Sequence, residues 1–153
     1  MIAKFRTMKV GADEFWTKGG KLSEEAKKKG WKLTLEEDKR VTRLGKVLRQ
    51  TSLDEFPQLY NILKGDMSLV GPRPIREIEV EDAIERYGKE IMPDIKTSLM
   101  VKPGLTGDWQ VSGRNIIPWD QRLKMDVKYV NRRNFLDDFV IIIKTPLAMI
   151  SKW

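Results

Sequence analysis

The 153-residue sequence contains neither cysteine nor histidine. The first absence excludes a disulfide framework, a thiol nucleophile and zinc–thiolate sites; the second removes the usual general base near neutral pH and the commonest metal ligand. Any chemistry must therefore run on carboxylates, arginine, lysine and hydroxyls. Long hydrophobic runs are lacking too. The longest, Phe139 to Ile150, is interrupted by Lys144, Thr145 and Pro146, and is about half the span of a membrane-crossing helix. Neither a Gly-x-x-x-x-Gly-Lys-Ser/Thr loop nor a Gly-x-Gly-x-x-Gly turn occurs, so P-loop nucleotide hydrolysis and dinucleotide binding have no support.

What is present is a basic, moderately apolar chain. Its 29 Lys+Arg outnumber 22 Asp+Glu for a net charge of +7, and 41% of residues are hydrophobic. This length and composition predict a single domain over residues 1–153, able to bury its own core without covalent staples. The basic surplus fits nucleic acid phosphates, an anionic membrane surface, or solubility alone. Much of it lies in Lys27–Lys29, Lys39, Arg40, Arg43, Lys46, Arg49, Lys128, Arg132 and Arg133, and such runs are more often a solvated helix face than a binding site.

Hydrophobic periodicity predicts a mixed α/β (α+β) fold, rich in helix and with short strands. Ile2 to Met8 alternates as a short strand, and Ser23 to Gly30 reads as a capped helix. Val41, Leu44, Val47 and Leu48 fall at helical spacing, and a second helix is expected from Ser52 to about Lys64. Met67 to Val70 reads as a buried strand, and an acidic helix follows from Ile75 to Tyr87. Leu99–Lys102 and Trp109–Val111 read as strand pieces around the turn Pro103–Gly107. Pro118 suits the start of a further helix, and the last one begins near Asn134 with a broad apolar side, whose first half is expected to pack on the core.

The most informative local pattern is Thr51-Ser52-Leu53-Asp54-Glu55-Phe56-Pro57, because Ser52 and Glu55 have capping-box spacing. One reading makes Asp54 and Glu55 mere complements of a helix N-terminus. The other makes them a reactive pair, since adjacent carboxylates at a helix N-terminus keep at least one ionised and backbone N–H groups there can receive a phosphate. A carboxylate attacking phosphorus needs cations nearby, and Arg49, Arg73 and Arg114 are candidates. Arg73 is held between Pro72 and Pro74. A magnesium site of one or two carboxylates plus substrate phosphates is open to this chain, drawn from Asp54, Glu55, Asp126, Asp137 and Asp138.

Lys4-Phe5-Arg6-Thr7-Met8, the Thr51–Leu59 segment, Gly65-Asp66-Met67-Ser68-Leu69-Val70-Gly71-Pro72-Arg73-Pro74, Lys102-Pro103-Gly104-Leu105-Thr106-Gly107 and Trp109-Gln110-Val111-Ser112-Gly113-Arg114-Asn115 together resemble the bacterial sugar transferase family. These are monotopic phosphoglycosyl transferases. Asp126–Val130 and Asp137-Asp138 continue the resemblance, and the wording from Gly104 to Arg114 is closer to the hexose phosphate branch. The resemblance implies transfer of a sugar 1-phosphate from a UDP-sugar to a polyprenyl phosphate, releasing UMP, with Mg2+, at the cytoplasmic face of the bacterial inner membrane. It implies Asp54 as nucleophile and Glu55 as its partner, with Asp54, Glu55 and Asp138 as metal acids. Arg73 and Arg114 would contact phosphate or nucleotide, Arg49 would support the helix entrance, and Lys4 would lie near the site. Family members carry a re-entrant hydrophobic helix before the Lys4–Met8 strand, a segment that this sequence is expected to lack. A non-catalytic membrane-surface module and a nucleic-acid binder are the competing readings; the second lacks any reader motif.

Overall fold

In the computed structural model, residues 2–12, 33–113 and 117–150 are described. The expected helix Ser23–Gly30 and Arg114 lie outside them. The chain divides into two compact units, Ala3–Pro57 and Gln58–Trp153, the latter with Met1–Ile2.

In the first unit, helix α1 (Arg43–Gln50) follows Thr42, whose backbone is extended and whose Oγ1 accepts the Gly45 N–H at 2.9 Å. Thr42 also anchors the N-terminal segment. Its N–H donates to the Thr7 carbonyl at 3.0 Å, and a Cβ at Gly45 would collide with that same carbonyl. The strand expected over Ile2–Met8 is reduced to one antiparallel bridge, Met8 to Val41. The cause is that this segment spends its backbone groups on Thr42 and on Asp54, whose carbonyl accepts Phe5 N–H at 2.9 Å, so no ladder forms.

The helix expected from Ser52 to Lys64 is also broken, into a 3-10 turn (Leu53–Glu55) and, in the second unit, helix α2 (Gln58–Leu63). Pro57 has no N–H to give the Leu53 carbonyl, so Phe56 N–H takes it at 3.2 Å and the turn tightens. Ser52 is left-handed (φ 56, ψ 16) and its side chain makes no capping bond. The capping box is therefore not formed.

The second unit is built on a two-stranded parallel sheet, β1 (Ser68–Val70) with β2 (Gly104–Thr106), in register Ser68 to Gly104 and Val70 to Thr106. Between them run α3 (Glu77–Tyr87), a 3-10 turn (Lys89–Ile91) and α4 (Met92–Ser98); after them come α5 (Asp108–Ser112), α6 (Trp119–Arg132) and α7 (Phe135–Ile150). Strand β2 occupies the segment expected as a turn, and Trp109–Val111 is helical rather than extended. Two glycines explain the first difference: a Cβ on Gly104 would fall on the Gly71 amide, and one on Gly71 would meet the Lys102 carbonyl at 2.8 Å. Gly107 explains the second, since its extended backbone leaves its carbonyl to accept Gln110 and Val111 N–H and start α5.

Ala83, Ile95 and Leu123 form the buried centre, flanked by Ile75, Val80, Ile91, Met92 and Trp119. Helix α7 is tied to the sheet through Thr145, whose hydroxyl donates to the Ile141 carbonyl and accepts from Thr106, both at 2.8 Å. The first half of α7 does not pack as expected. Ile141 is buried, but Phe135 and Leu136 are 81% and 72% exposed. Among the described residues no helix is long and apolar enough to cross a membrane. The fold is the expected helix-rich α/β type, with 58% of the described residues helical.

Candidate active site

Asp54 sits in the first unit's 3-10 turn with its side chain buried, and Lys4 reaches across to it. The ammonium lies 2.9 Å from Asp54 Oδ2 and 3.2 Å from Glu55 Oε1. One cation thus serves two adjacent carboxylates. The Phe5–Asp54 backbone bond holds the two segments in register, so Lys4 is placed by main-chain geometry as well as by its charge. Glu55 is about one-third exposed and Lys4 nearly half exposed, leaving one side of the triad open to solvent.

Arg49, at the end of α1, donates from Nε to Thr7 Oγ1 at 2.9 Å. Burial lowers its pKa, while the charges of Asp38 and Asp54 oppose that shift. Asp38 is buried beside it and accepts Arg40 Nε and Nη2 at 2.7 and 2.8 Å, a bidentate pair. Burial alone would raise the Asp38 pKa; the Arg40 hydrogen bonds and charge, with the Arg49 charge, outweigh it and hold the carboxyl below its usual value. Arg49 thus ties the end of α1 to the N-terminal segment through Thr7. The Asp38–Arg40 pair was not anticipated; a carboxylate two residues before an arginine carries too little signal.

A second cluster lies within the second unit. Arg73, exposed between its prolines, places its guanidinium carbon 5.5 Å from the centre of the Trp109 ring, and Arg122 on α6 places its own at 5.1 Å. Arg122 is only 9% exposed, and its Nε is buried without a hydrogen-bond partner. Burial first, then the Arg73 charge, lowers its pKa to about 10. One turn on, Asp126 is 5% exposed, and burial pushes its carboxyl up to about 7 against the opposing backbone amide of Arg73 and the charge of Arg122. The sequence reading singled out Arg73, treated Asp126 only as a metal candidate and missed Arg122. Their i, i+4 spacing on a helix was the available signal.

Asp138, at the start of α7, accepts the Tyr129 hydroxyl at 2.8 Å. Burial and this bond raise the tyrosine's pKa. Among the described residues no group of three or more acidic, histidine or cysteine side chains is arranged to hold a metal ion. Asp54 and Glu55 nevertheless fit a hard cation in a limited way: they are neighbouring carboxylates that already share one positive group, Lys4, and magnesium commonly takes one or two carboxylates and completes its shell with substrate phosphates and water.

Comparison with known proteins converges on one family. The sequence matches the family described as bacterial sugar transferase over residues 1–152. It is 48% identical over 118 residues to an undecaprenyl-phosphate galactose phosphotransferase of Salmonella typhimurium, covering 77% of this chain and 23% of that protein. It is 43% identical to the exopolysaccharide production protein ExoY of Sinorhizobium fredii, covering 97% and 63%, and 37% identical to a UDP-glucose:undecaprenyl-phosphate glucose-1-phosphate transferase of Caulobacter vibrioides, covering 74% and 43%. The chain thus spans between 23% and 63% of the length of these relatives. With nearly every residue inside the family match and the Lys4–Asp54–Glu55 triad formed within it, the chain belongs to the bacterial sugar transferase family.

Proposed function

We propose that this chain transfers a hexose 1-phosphate from a UDP-sugar to a polyprenyl phosphate in two steps through Asp54. The carrying observation is the buried Asp54 carboxylate beside Glu55, with the Lys4 ammonium within 3.2 Å of both. In the first step an Asp54 oxygen attacks the sugar-bearing phosphorus; the bond to the bridging oxygen breaks and UMP leaves with that oxygen. In the second, a polyprenyl phosphate oxygen attacks the same phosphorus and the Asp54 carboxylate is released. The product is a polyprenyl diphosphate sugar.

Lys4 offsets the repulsion between a carboxylate nucleophile and a diphosphate, and the Phe5–Asp54 bond fixes where the nucleophile stands. Glu55, more exposed than Asp54, would meet the incoming acceptor phosphate. In this reading Asp54 and Glu55 would hold Mg2+, and the ion would neutralise phosphate charge. The reaction takes place at the membrane surface on the cytoplasmic face, where a polyprenyl phosphate presents its head group.

The relatives' names support the substrate classes, a UDP-sugar and undecaprenyl phosphate. The test is UMP release from UDP-galactose and UDP-glucose with polyprenyl phosphate, detergent and magnesium. Release from one of them that disappears in Asp54→Asn is expected. Lipid binding with no release from either sugar would instead mark a non-catalytic membrane-surface module.

A further inference from the structure

Lys4 is nearly half exposed and its ammonium rides on a flexible stem, so its place between Asp54 and Glu55 depends on the segment that carries it. Within the first unit that segment is stitched down by its main chain. Phe5 N–H donates to the Asp54 carbonyl at 2.9 Å, the Thr7 carbonyl accepts Thr42 N–H at 3.0 Å, and Lys9 N–H donates to the Arg40 carbonyl at 3.0 Å. The Thr42 bond holds Thr7 at the start of α1. The Thr7 side chain adds a tie to the other end: its hydroxyl oxygen accepts Arg49 Nε–H at 2.9 Å, and the residue is 4% exposed. Thr42 and Arg49 lie about 10 Å apart along the helix axis, so Thr7 is clamped against both ends of α1.

Arg49 is partly buried, where an unused guanidinium donor is costly. Two carboxylates, Asp38 and Asp54, act on it through their charge. Asp38 is largely committed to Arg40: it accepts Arg40 Nε and Nη2 at 2.7 and 2.8 Å and the Arg40 backbone N–H at 3.1 Å, out of about four acceptor positions on a carboxylate. An Arg49 released from Thr7 would therefore turn toward Asp54 and compete there with Lys4.

We propose that Thr7 is a positioning residue of the active site: by holding Arg49 at the end of α1, its hydroxyl keeps Arg49 off Asp54 and leaves the Asp54–Glu55 pair to the Lys4 ammonium. As a role in catalysis this rests on the transferase reading; as the cause of where Lys4 stands it does not. Thr7 acts through Arg49 and Lys4 and touches neither carboxylate's reacting oxygen by its hydroxyl, which is spent on Arg49. Serine keeps that oxygen. Valine keeps the branched shape and the backbone bond to Thr42 but has no oxygen to offer.

The reactivity of Lys4 reads its placement without any substrate. In a short pulse of acetic anhydride followed by peptide mass spectrometry, Lys4 should be acetylated about fivefold faster in Thr7→Val than in wild type or Thr7→Ser, because an amine that has left its carboxylates is free to react. Lys46, on α1 itself, should react alike in all three. With UDP-sugar, polyprenyl phosphate and magnesium, Thr7→Val should lower kcat for UMP release about tenfold with KM within about twofold of wild type, and Thr7→Ser should recover most of it. Added to Lys4→Met, Thr7→Val should cost less than about twofold more, since there is no ammonium left to displace. Arg49→Lys keeps the charge and lacks the Nε–H that Thr7 accepts; it should also speed Lys4 labelling, and it carries the test if Thr7→Val fails to fold by circular dichroism. Unchanged Lys4 labelling in the folded variant, equal acceleration at Lys46, or Thr7→Ser behaving like Thr7→Val would overturn the proposal. So would an unchanged kcat in Thr7→Val, or an undiminished loss in the Lys4→Met background. A wild type that releases no UMP would count against the transferase reading alone, because the labelling still decides whether Thr7 places Lys4.

Discussion

Replacing Asp126 by asparagine should make the protein more stable at alkaline pH and change the pH dependence of folding. In the folded chain burial holds this carboxyl at about 7, against 3.8 for the unperturbed group. A raised carboxyl contributes stability below the unfolded value and loses it as pH climbs toward the folded one, because the native state binds the extra proton. Between pH 5 and the folded value of about 7 the difference spans about two pH units, or about 3 kcal/mol at about 1.4 kcal/mol per unit. Above about 7 the loss is complete. Asparagine keeps the shape of the neutral acid and has no charge to desolvate, so wild type should lose about 3 kcal/mol relative to Asp126→Asn between pH 5 and pH 8. Urea unfolding of both proteins at the two pH values, in buffers free of sulfate and phosphate, gives the number. Parallel curves with a constant offset would refute the reasoning, and so would a variant destabilised more at pH 8 than at pH 5.

Lys4→Met removes the cation shared by Asp54 and Glu55; because Lys4 is nearly half exposed the stability cost should be about 1 kcal/mol, while UMP release should fall about a hundredfold, with Lys4→Arg recovering part of it. Full activity in Lys4→Met would remove Lys4 from the mechanism. Tyr129→Phe deletes the 2.8 Å bond to Asp138 and should cost about 1 kcal/mol in urea unfolding; no cost would mean that water replaces the hydroxyl without penalty. Gly104→Ala puts a methyl on the Gly71 amide and should cost about 3 kcal/mol or more, seen as a large drop in thermal midpoint. A midpoint within a few degrees of wild type would show that the two strands can part.

The segments with one dominant local signal were legible in the sequence. Helix α1 followed from Val41, Leu44, Val47 and Leu48, and α3 from its acidic start and Gly88 stop. Where two signals competed, the reading failed in a traceable way. Ser52 and Glu55 have the spacing of a capping box, but Pro57 denies the Leu53 carbonyl its donor and the turn closes as 3-10 with Ser52 left-handed. Gly104 looked like a turn residue and is a strand residue, because the partner Gly71 lies a continent of sequence away and only their close approach explains both. The same holds for the site. Lys4, Asp54 and Glu55 were all named from motifs, and the structure adds that Lys4 bridges the pair. The burial that perturbs Arg122 and Asp126 depends on how α5, α6 and the Pro72–Pro74 turn pack, which no local window of residues contains.

The central claim is a covalent bond on Asp54. Incubating the chain with UDP-galactose or UDP-glucose and magnesium, without the lipid acceptor, and then digesting it for mass spectrometry tests that bond directly. The account predicts a peptide containing Asp54 heavier by one hexose phosphoryl group, released on adding polyprenyl phosphate and absent in Asp54→Asn. UMP release and lipid-linked product without any such peptide, or with the same product formed by Asp54→Asn, would contradict it.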